Sequence, residues 1–428
     1  MYKRLSSRLN LKRQLVDPSH DLGGAIQPAL KVRGGEMLRR SLVGLVSVLV
    51  AASIVVGCGG EEVGEPGDQD AKESGSGQEG LHHVEQDRVV YGTSFVNPLV
   101  DMFGEVYIGE ESFVAGNTVL RADEGRSVEI GSDTNAQDNV TLRALRSQTA
   151  VNNETSLAHH ATVEDSEIGE FVFVGFNARV RNSTLEDGAF LSHSAWVEDV
   201  TIPENAFVKA GQVVDEQSEA DTLPKAEEAT EEFRREVLEV NEEFAKGYIE
   251  LYEAEGEEAL TGIGPNPETS FNSRAEPEVP DSVTVGRLVR IVGNVRVGEN
   301  SYIGERSAIR ADEGSPIVIG ENADIEERVT FHALRGTELR VGDRLTTGND
   351  AVLHGPLEVG DNLRVGDRGV VFRVKVGDDV TVGEGATVAG PANENGELQL
   401  EIPDGTNIPD GAVITNQEEL DAIFKQQE

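Results

Sequence analysis

The chain has 428 residues, with 78 Asp and Glu against 37 Lys and Arg and a formal net charge of −41. So acidic a composition excludes nucleic acid and the face of an anionic membrane as electrostatic partners, while the length accommodates two or three domains. The single cysteine excludes both an intramolecular disulfide and a cysteine-based zinc site.

Residues 1–36 read as an extension, untranslated or disordered, with translation starting at Met37. From there "MLRRSLVGLVSVLVAASIVVGCGG" opens with two arginines, continues without a charge through apolar and small residues, and reaches Cys58. This is the form of a secretory signal over 37–57. "VVGC" resembles the lipobox of bacterial lipoproteins, which implies lipidation at Cys58, export, and membrane contact only through that anchor. A transmembrane anchor is the alternative, because the apolar run is near the lower limit for a span. Either way the folded part lies outside the cytoplasm. Residues 58–88 are acidic with almost nothing to bury and are expected to form a disordered tether, His82 and His83 at its end being surface histidines. With only nine lysines, the acidic remainder suits high ionic strength, where screening shrinks self-repulsion, and so a salt-rich habitat.

Residues 89–259 contain hexads with an aliphatic or small residue at one fixed place and Gly, Asn or Asp at the corners. Such a period predicts a β-helix, three short strands making each coil of a triangular prism. Aromatic residues make up 5%, consistent with a core of stacked Val, Ile and Leu. Over 224–256 the period changes to that of a long α-helix, with Phe233, Val237, Val240, Phe244 and Ile249 on one stripe. A linker follows at 260–284. The hexads return over 285–416, and 417–428 form a C-terminal tail. The fold class is therefore an all-β solenoid, two β-helices in tandem with one long α-helix after the first.

The two halves repeat one another. "VLRADEG" (119–125) matches "AIRADEG" (308–314), and "VTLRALR" (140–146) matches "VTFHALR" (329–335). The second copy places His332 and His354 22 residues apart, one 18-residue coil plus a four-residue excursion at 335–338, so both stand on one face. The matching places in the first copy hold Arg143 and Glu164, a cation and an anion where the second copy has two histidines. The first copy keeps His159 instead, on a neighbouring face, where the second copy has Asn349. His160 and His193 are expected as surface or corner residues.

"IRADEG…FHAL…LHGP" together with "RADEG…NAQDNVTL…SLAH…VNEEFAKGY" resembles the gamma-class carbonic anhydrases. The resemblance implies left-handed β-helices, trimer-like self-association, carbon dioxide and bicarbonate as substrates, and catalytic Zn²⁺ or Fe²⁺. It also implies a three-histidine site shared between neighbouring prisms, with His332 and His354 from copy two and His159 from copy one. Gln137, expected one coil below His159 on the same face, matches the glutamine beside the catalytic water, and Asn241 matches the helix asparagine. Glu313 and Glu124 match a residue implicated in proton handling, or else are corner residues paired with Arg310 and Arg121. Arg121 with Asp138 matches a structural ion pair between subunits. The proton-shuttle glutamate falls on Arg335, which cannot relay protons. Two other readings stand beside the enzyme: a non-catalytic scaffold or binding module, and a hexapeptide acyltransferase.

Overall fold

The computed structural model describes residues 80–391 and 398–427. The extension, the signal segment, Cys58 and most of the tether lie outside the described residues.

Alternation along each short strand is what builds the prisms, because successive side chains point to opposite faces. In the first prism Leu120, Leu142, Val163, Val180, Val197 and Val214 fall in register on consecutive parallel strands. All six are buried, and they form one inward column of the core. In the second prism Ile291, Ile309, Phe331, Leu353, Val371, Val388 and Ile414 do the same. At about 1.5–3 kcal/mol per fully buried aliphatic side chain, such columns hold each left-handed coil stack together. Prism one closes with three separate walls, of seven, seven and eight strands. In prism two the strands Val352–Val359 and Val370–Val376 run through a corner, so two walls merge into one twelve-stranded sheet. Asn117, Asn139 and Asn177 take the corner turns of prism one with φ between 55° and 62°, a conformation that asparagine tolerates better than most residues.

Helix α1, Glu228–Glu255, packs on one wall of prism one. Its Tyr248 ring stacks on Phe95 and Phe113 at 5.2 and 5.7 Å. Arg234 near its start donates to the Phe171 and Gly188 carbonyls, and Gly256 ends it at φ 80°. The inner stripe is Val240, Phe244, Tyr248 and Leu251. Ile249, expected on that stripe, is half-buried beside it.

Three segments are more ordered than the sequence indicates. The end of the expected tether forms a strand, His82–His83, antiparallel to Glu105–Ile108. Inside the linker, Gly262–Gly264 pairs in parallel with Arg290–Gly293 and so begins the second prism's stack. The C-terminal tail forms helix α2, Gln417–Gln427, and buries Leu420 against the end of that core.

The prisms lie side by side. Asn117 donates to the carbonyls of Leu288 and Arg306, Asn139 to the Thr330 hydroxyl, and Asn177 to the carbonyls of Asp350 and Arg368. One corner of prism one thus runs along the neighbouring edge of prism two, coil against coil.

Candidate metal centre

That seam brings His159, His332 and His354 together. Their ligand atoms lie within 4.8 Å of one another, and all three residues are buried. His332 and His354 are direct neighbours on adjacent strands of prism two. His159 comes from the corner of prism one that presses on them, its ring 5.3 Å from that of His332 and 5.7 Å from that of His354.

The hydrogen bonds fix where the protons sit. Asp312 Oδ1 lies 3.1 Å from His332 Nε2, and the Gly355 carbonyl lies 2.9 Å from His354 Nδ1. A carboxylate and a carbonyl only accept, so these two nitrogens carry hydrogen. The remaining nitrogens, His332 Nδ1 and His354 Nε2, then point lone pairs at each other across 3.3 Å. No hydrogen bond can form between two acceptors. Two donors of a tetrahedral ion at about 2.0–2.1 Å would stand about that far apart. His159 Nδ1 lies 3.4 Å from Asp138 Oδ2, and both its ring nitrogens are buried without a hydrogen-bond partner. Three imidazoles with unshared lone pairs fit a divalent metal, and His332 and His354 are each oriented by a hydrogen bond to an oxygen behind the ring.

Burial favours the neutral form of two of the donors. Burial takes the His159 pKa down to about 4 against the pull of Asp138. Burial, with the neighbouring His332 and His159, pushes His354 well below its ordinary value. Burial, the largest single effect, pushes the carboxyls of Asp312 and Asp138 up, but Arg310 together with the neighbouring histidines, and Tyr248 at Asp312, holds both below the usual range. Arg310 reaches Asp138 at 3.0 Å and Asp312 at 3.2 Å. Glu313 is raised by burial, with Oε2 3.9 Å from His332 Nε2 and Oε1 accepting from the Arg335 amide.

The sequence does not single out Tyr248 and Asp312. Tyr248 in α1 donates to Asp312 Oδ2 at 2.5 Å, so the helix of the first half braces the second half's histidine. A helical step of four from Phe244 reaches Tyr248 rather than Ile249, and that spacing was available as a signal.

Other expectations need correcting. Asp138 pairs with Arg310 of the other prism, while Arg121 turns outward to Asp123. A coil is one residue out of the expected register, because Leu157 pairs with Ala136. Asp138, not Gln137, therefore stacks on His159, and Gln137 keeps a buried Oε1 without a partner. Glu124 is exposed on the open side of prism one. Asn241 donates to Val237 of its own helix and lines a cleft of about 300 Å³ with Glu111, Asp133 and Glu239, which none of the three histidines enters. His160 is no surface residue: it is buried at the seam, 3.0 Å from the Thr330 hydroxyl. His193 is half-buried and stacked on Phe176 at 4.4 Å. Arg143 and Glu164 do stand side by side, at 3.9 Å, and Asn349 occupies an exposed corner of prism two.

No protein-family model matches the chain. Over 172 residues it is 29% identical to the carboxysome assembly protein CcmM of Nostoc sp., covering 37% of this chain and 31% of that one. The chain thus spans about a third of the length of that relative. Over 185 residues it is 30% identical to the carbonic anhydrase of Methanosarcina thermophila, covering 38% of this chain and 75% of that protein. Among solved structures, a hexapeptide transferase family protein from Anaplasma phagocytophilum aligns over 36% of this chain and 91% of its own, at 21% identity and a TM-score of 0.31, too loosely to argue from.

Proposed function

The chain belongs to the gamma-class carbonic anhydrase family, and from that premise we propose that its two prisms form one metal-dependent centre for the reversible hydration of carbon dioxide. The observation that carries this reading is the pair of opposed lone pairs on His332 and His354, capped by the unpartnered His159. A Zn²⁺ or Fe²⁺ ion held by these three nitrogens would supply the Lewis acidity that makes water nucleophilic near neutral pH.

The chain's own residues do the rest. Asp312 and the Gly355 carbonyl hold the N–H of His332 and His354 and so aim their other nitrogens at the ion, while Asp138 lies 3.4 Å from His159 Nδ1. Arg310 keeps the two carboxylates charged, and Tyr248 fixes Asp312 from the helix. Phe176, Phe244 and Phe372 pack against the imidazole rings and keep bulk water away. Glu313 is the group placed to hold a proton beside His332. Arg335 follows it at the surface and passes none on, so the expected turnover is slower than a glutamate there would permit.

The reading includes an origin by duplication. Arg143 and Glu164 are strand neighbours in prism one as His332 and His354 are in prism two, and one duplicated unit that later divided its ligands would leave this pattern. It also includes export, with residues 37–57 as signal and Cys58 as lipid anchor, and further association through the walls that the chain leaves open.

The test is metal analysis with carbon dioxide hydration, on the wild type and His159→Ala. The wild type should hold about one metal per chain and hydrate carbon dioxide, and the variant should lose both. A metal-bound but inactive wild type would favour the non-catalytic scaffold, and full activity in the variant would break the shared centre.

A further inference from the structure

Beyond the three histidines, Arg373 and His193 at the seam each present a hydrogen-bond donor with no acceptor among the described residues. The first is Arg373. Opposite it, the register of the neighbouring strand jumps from His354 to Leu357, so Gly355 and Pro356 face Arg373 alone. Arg373 takes φ 52° at this bulge, between Phe372, which faces away from the core beside His354, and the core residue Val374. The bulge absorbs one residue of the alternation, and the guanidinium lies over the Phe372 ring at 4.4 Å and the Phe233 ring of α1 at 5.3 Å. No carboxylate among the described residues lies within ion-pair distance of it. Burial accordingly lowers its pKa to about 10, with Glu236 giving the only compensation. A cation so placed retains most of its capacity to bind an anion.

The second donor is His193, from prism one. Its Nδ1 accepts from the Phe176 amide at 3.2 Å, which puts the ring hydrogen on Nε2. That N–H has no partner among the described residues. The His193 ring stands 5.5 Å from Phe372, the ring that Arg373 covers. The Arg373 charge is close enough to add to the effect of burial in depressing His193. Phe372 itself meets His354 at 5.0 Å.

We propose that Arg373 and His193, one from each prism, form a subsite for a small planar oxyanion of the bicarbonate class beside the three-histidine centre. A guanidinium offers paired N–H groups that match the two oxygens of such an ion. In a chain of net charge −41, a cation at the seam with no carboxylate partner among the described residues gives an anion a place that the surrounding field denies it. The choice of bicarbonate rests on the reading of the histidines given above; the donor pair does not.

The experiment is calorimetric titration of the full chain with bicarbonate at fixed ionic strength, for wild type, Arg373→Gln, Arg373→Lys and His193→Phe, with metal content measured on each. Arg373→Gln should weaken binding about tenfold or more with metal content unchanged. Arg373→Lys should retain part of the affinity, and His193→Phe should lose less than Arg373→Gln. Bicarbonate affinity equal to wild type in Arg373→Gln and His193→Phe overturns the subsite. Should Arg373→Gln fail to fold, wild-type affinity in His193→Phe and Arg373→Lys together overturns it. Binding that depends on Arg373 in a protein holding no metal would keep the subsite and defeat the catalytic reading, while metal and activity without that dependence would do the reverse.

Discussion

Arg121, Arg143, Glu164, Arg181 and Glu198 climb one wall of prism one in strict register; His332, His354, Phe372 and Ala389 climb the matching wall of prism two. The backbone beneath the two columns is alike, and what lies over them differs. Prism one's corner and helix cover the second column and leave His332 and His354 3% and 2% exposed. Nothing described covers the first column, where the Arg143 side chain is 45% exposed. A wall by itself supplies two donors, and the third arrives only with a neighbour's corner. Paired histidines stand where a corner docks, and arginines and glutamates stand where water does.

The strongest way to break this comparison is to exchange the columns. His332→Ala should take metal content from about one per chain to none, by elemental analysis. Arg143→His with Glu164→His rebuilds the two-histidine wall on prism one, yet metal content should stay at about one, because no corner brings a third nitrogen. A second tightly held ion in that double variant would show that two donors and water suffice, and the contrast would fail.

The bracing groups come next. Asp312→Asn keeps the shape but removes the charge that orients His332, and metal affinity measured against a competing chelator should fall about 10–100-fold. Tyr248→Phe leaves Asp312 in place with one donor fewer, so the loss should stay within about tenfold. Equal losses in both would mean that the helix, rather than the carboxylate, sets the ring.

Acid should separate the two walls as well. His159 titrates near pH 4 in the folded protein and at about 6.5 when unfolded. A histidine with a depressed folded value favours folding while it is neutral, so this contribution is present above about pH 6.5 and is lost as the pH falls toward 4. Melting of the metal-free protein should therefore fall more steeply from pH 7 to 4.5 than that of His159→Gln. Parallel curves would sink the assignment. Arg143→Ala, on the open wall, should leave the slope unchanged.

Much of the fold was legible because it is periodic. Hexads gave the prisms, the change of period gave α1, and the 22-residue interval correctly made His332 and His354 neighbours in spite of the excursion at 335–338. What failed depended on contacts between periods. The tether's end and the linker looked loop-like because their few apolar residues pair with strands far off in sequence. Asp138 was matched to Arg121 as a pair between subunits, whereas the seam within the chain gives it Arg310, the counterpart of Arg121 in the second copy. Taking His159 as level with Gln137 was an error of one residue, which a coil of 21 rather than 18 makes easy. His160 and His193 looked like corner residues because the corner that holds them is an exterior in any single prism and an interior only where two meet. Arg373 and the bulge that turns it outward leave no trace in a pattern of aliphatic hexads.

The smallest expected effect lies on the open column and marks the lower end of the contrast. Arg143 and Arg146 each approach Glu164 at 3.9 Å, and Arg181 comes to 3.5 Å from it and 3.1 Å from Glu198. The arginine side chains are between 45% and 65% exposed, so water screens each pair and the long side chains lose conformational freedom in forming it. Arg143→Ala should then cost under about 1 kcal/mol in denaturant unfolding, and less at 1 M salt. Loss of a partner from the buried Arg310 pair should cost several times as much, because it strands a charge away from water. If Arg143→Ala proved as damaging as Asp138→Ala, the first column would be holding a neighbour rather than facing solvent, and its exposure here would be that of a wall awaiting a third prism.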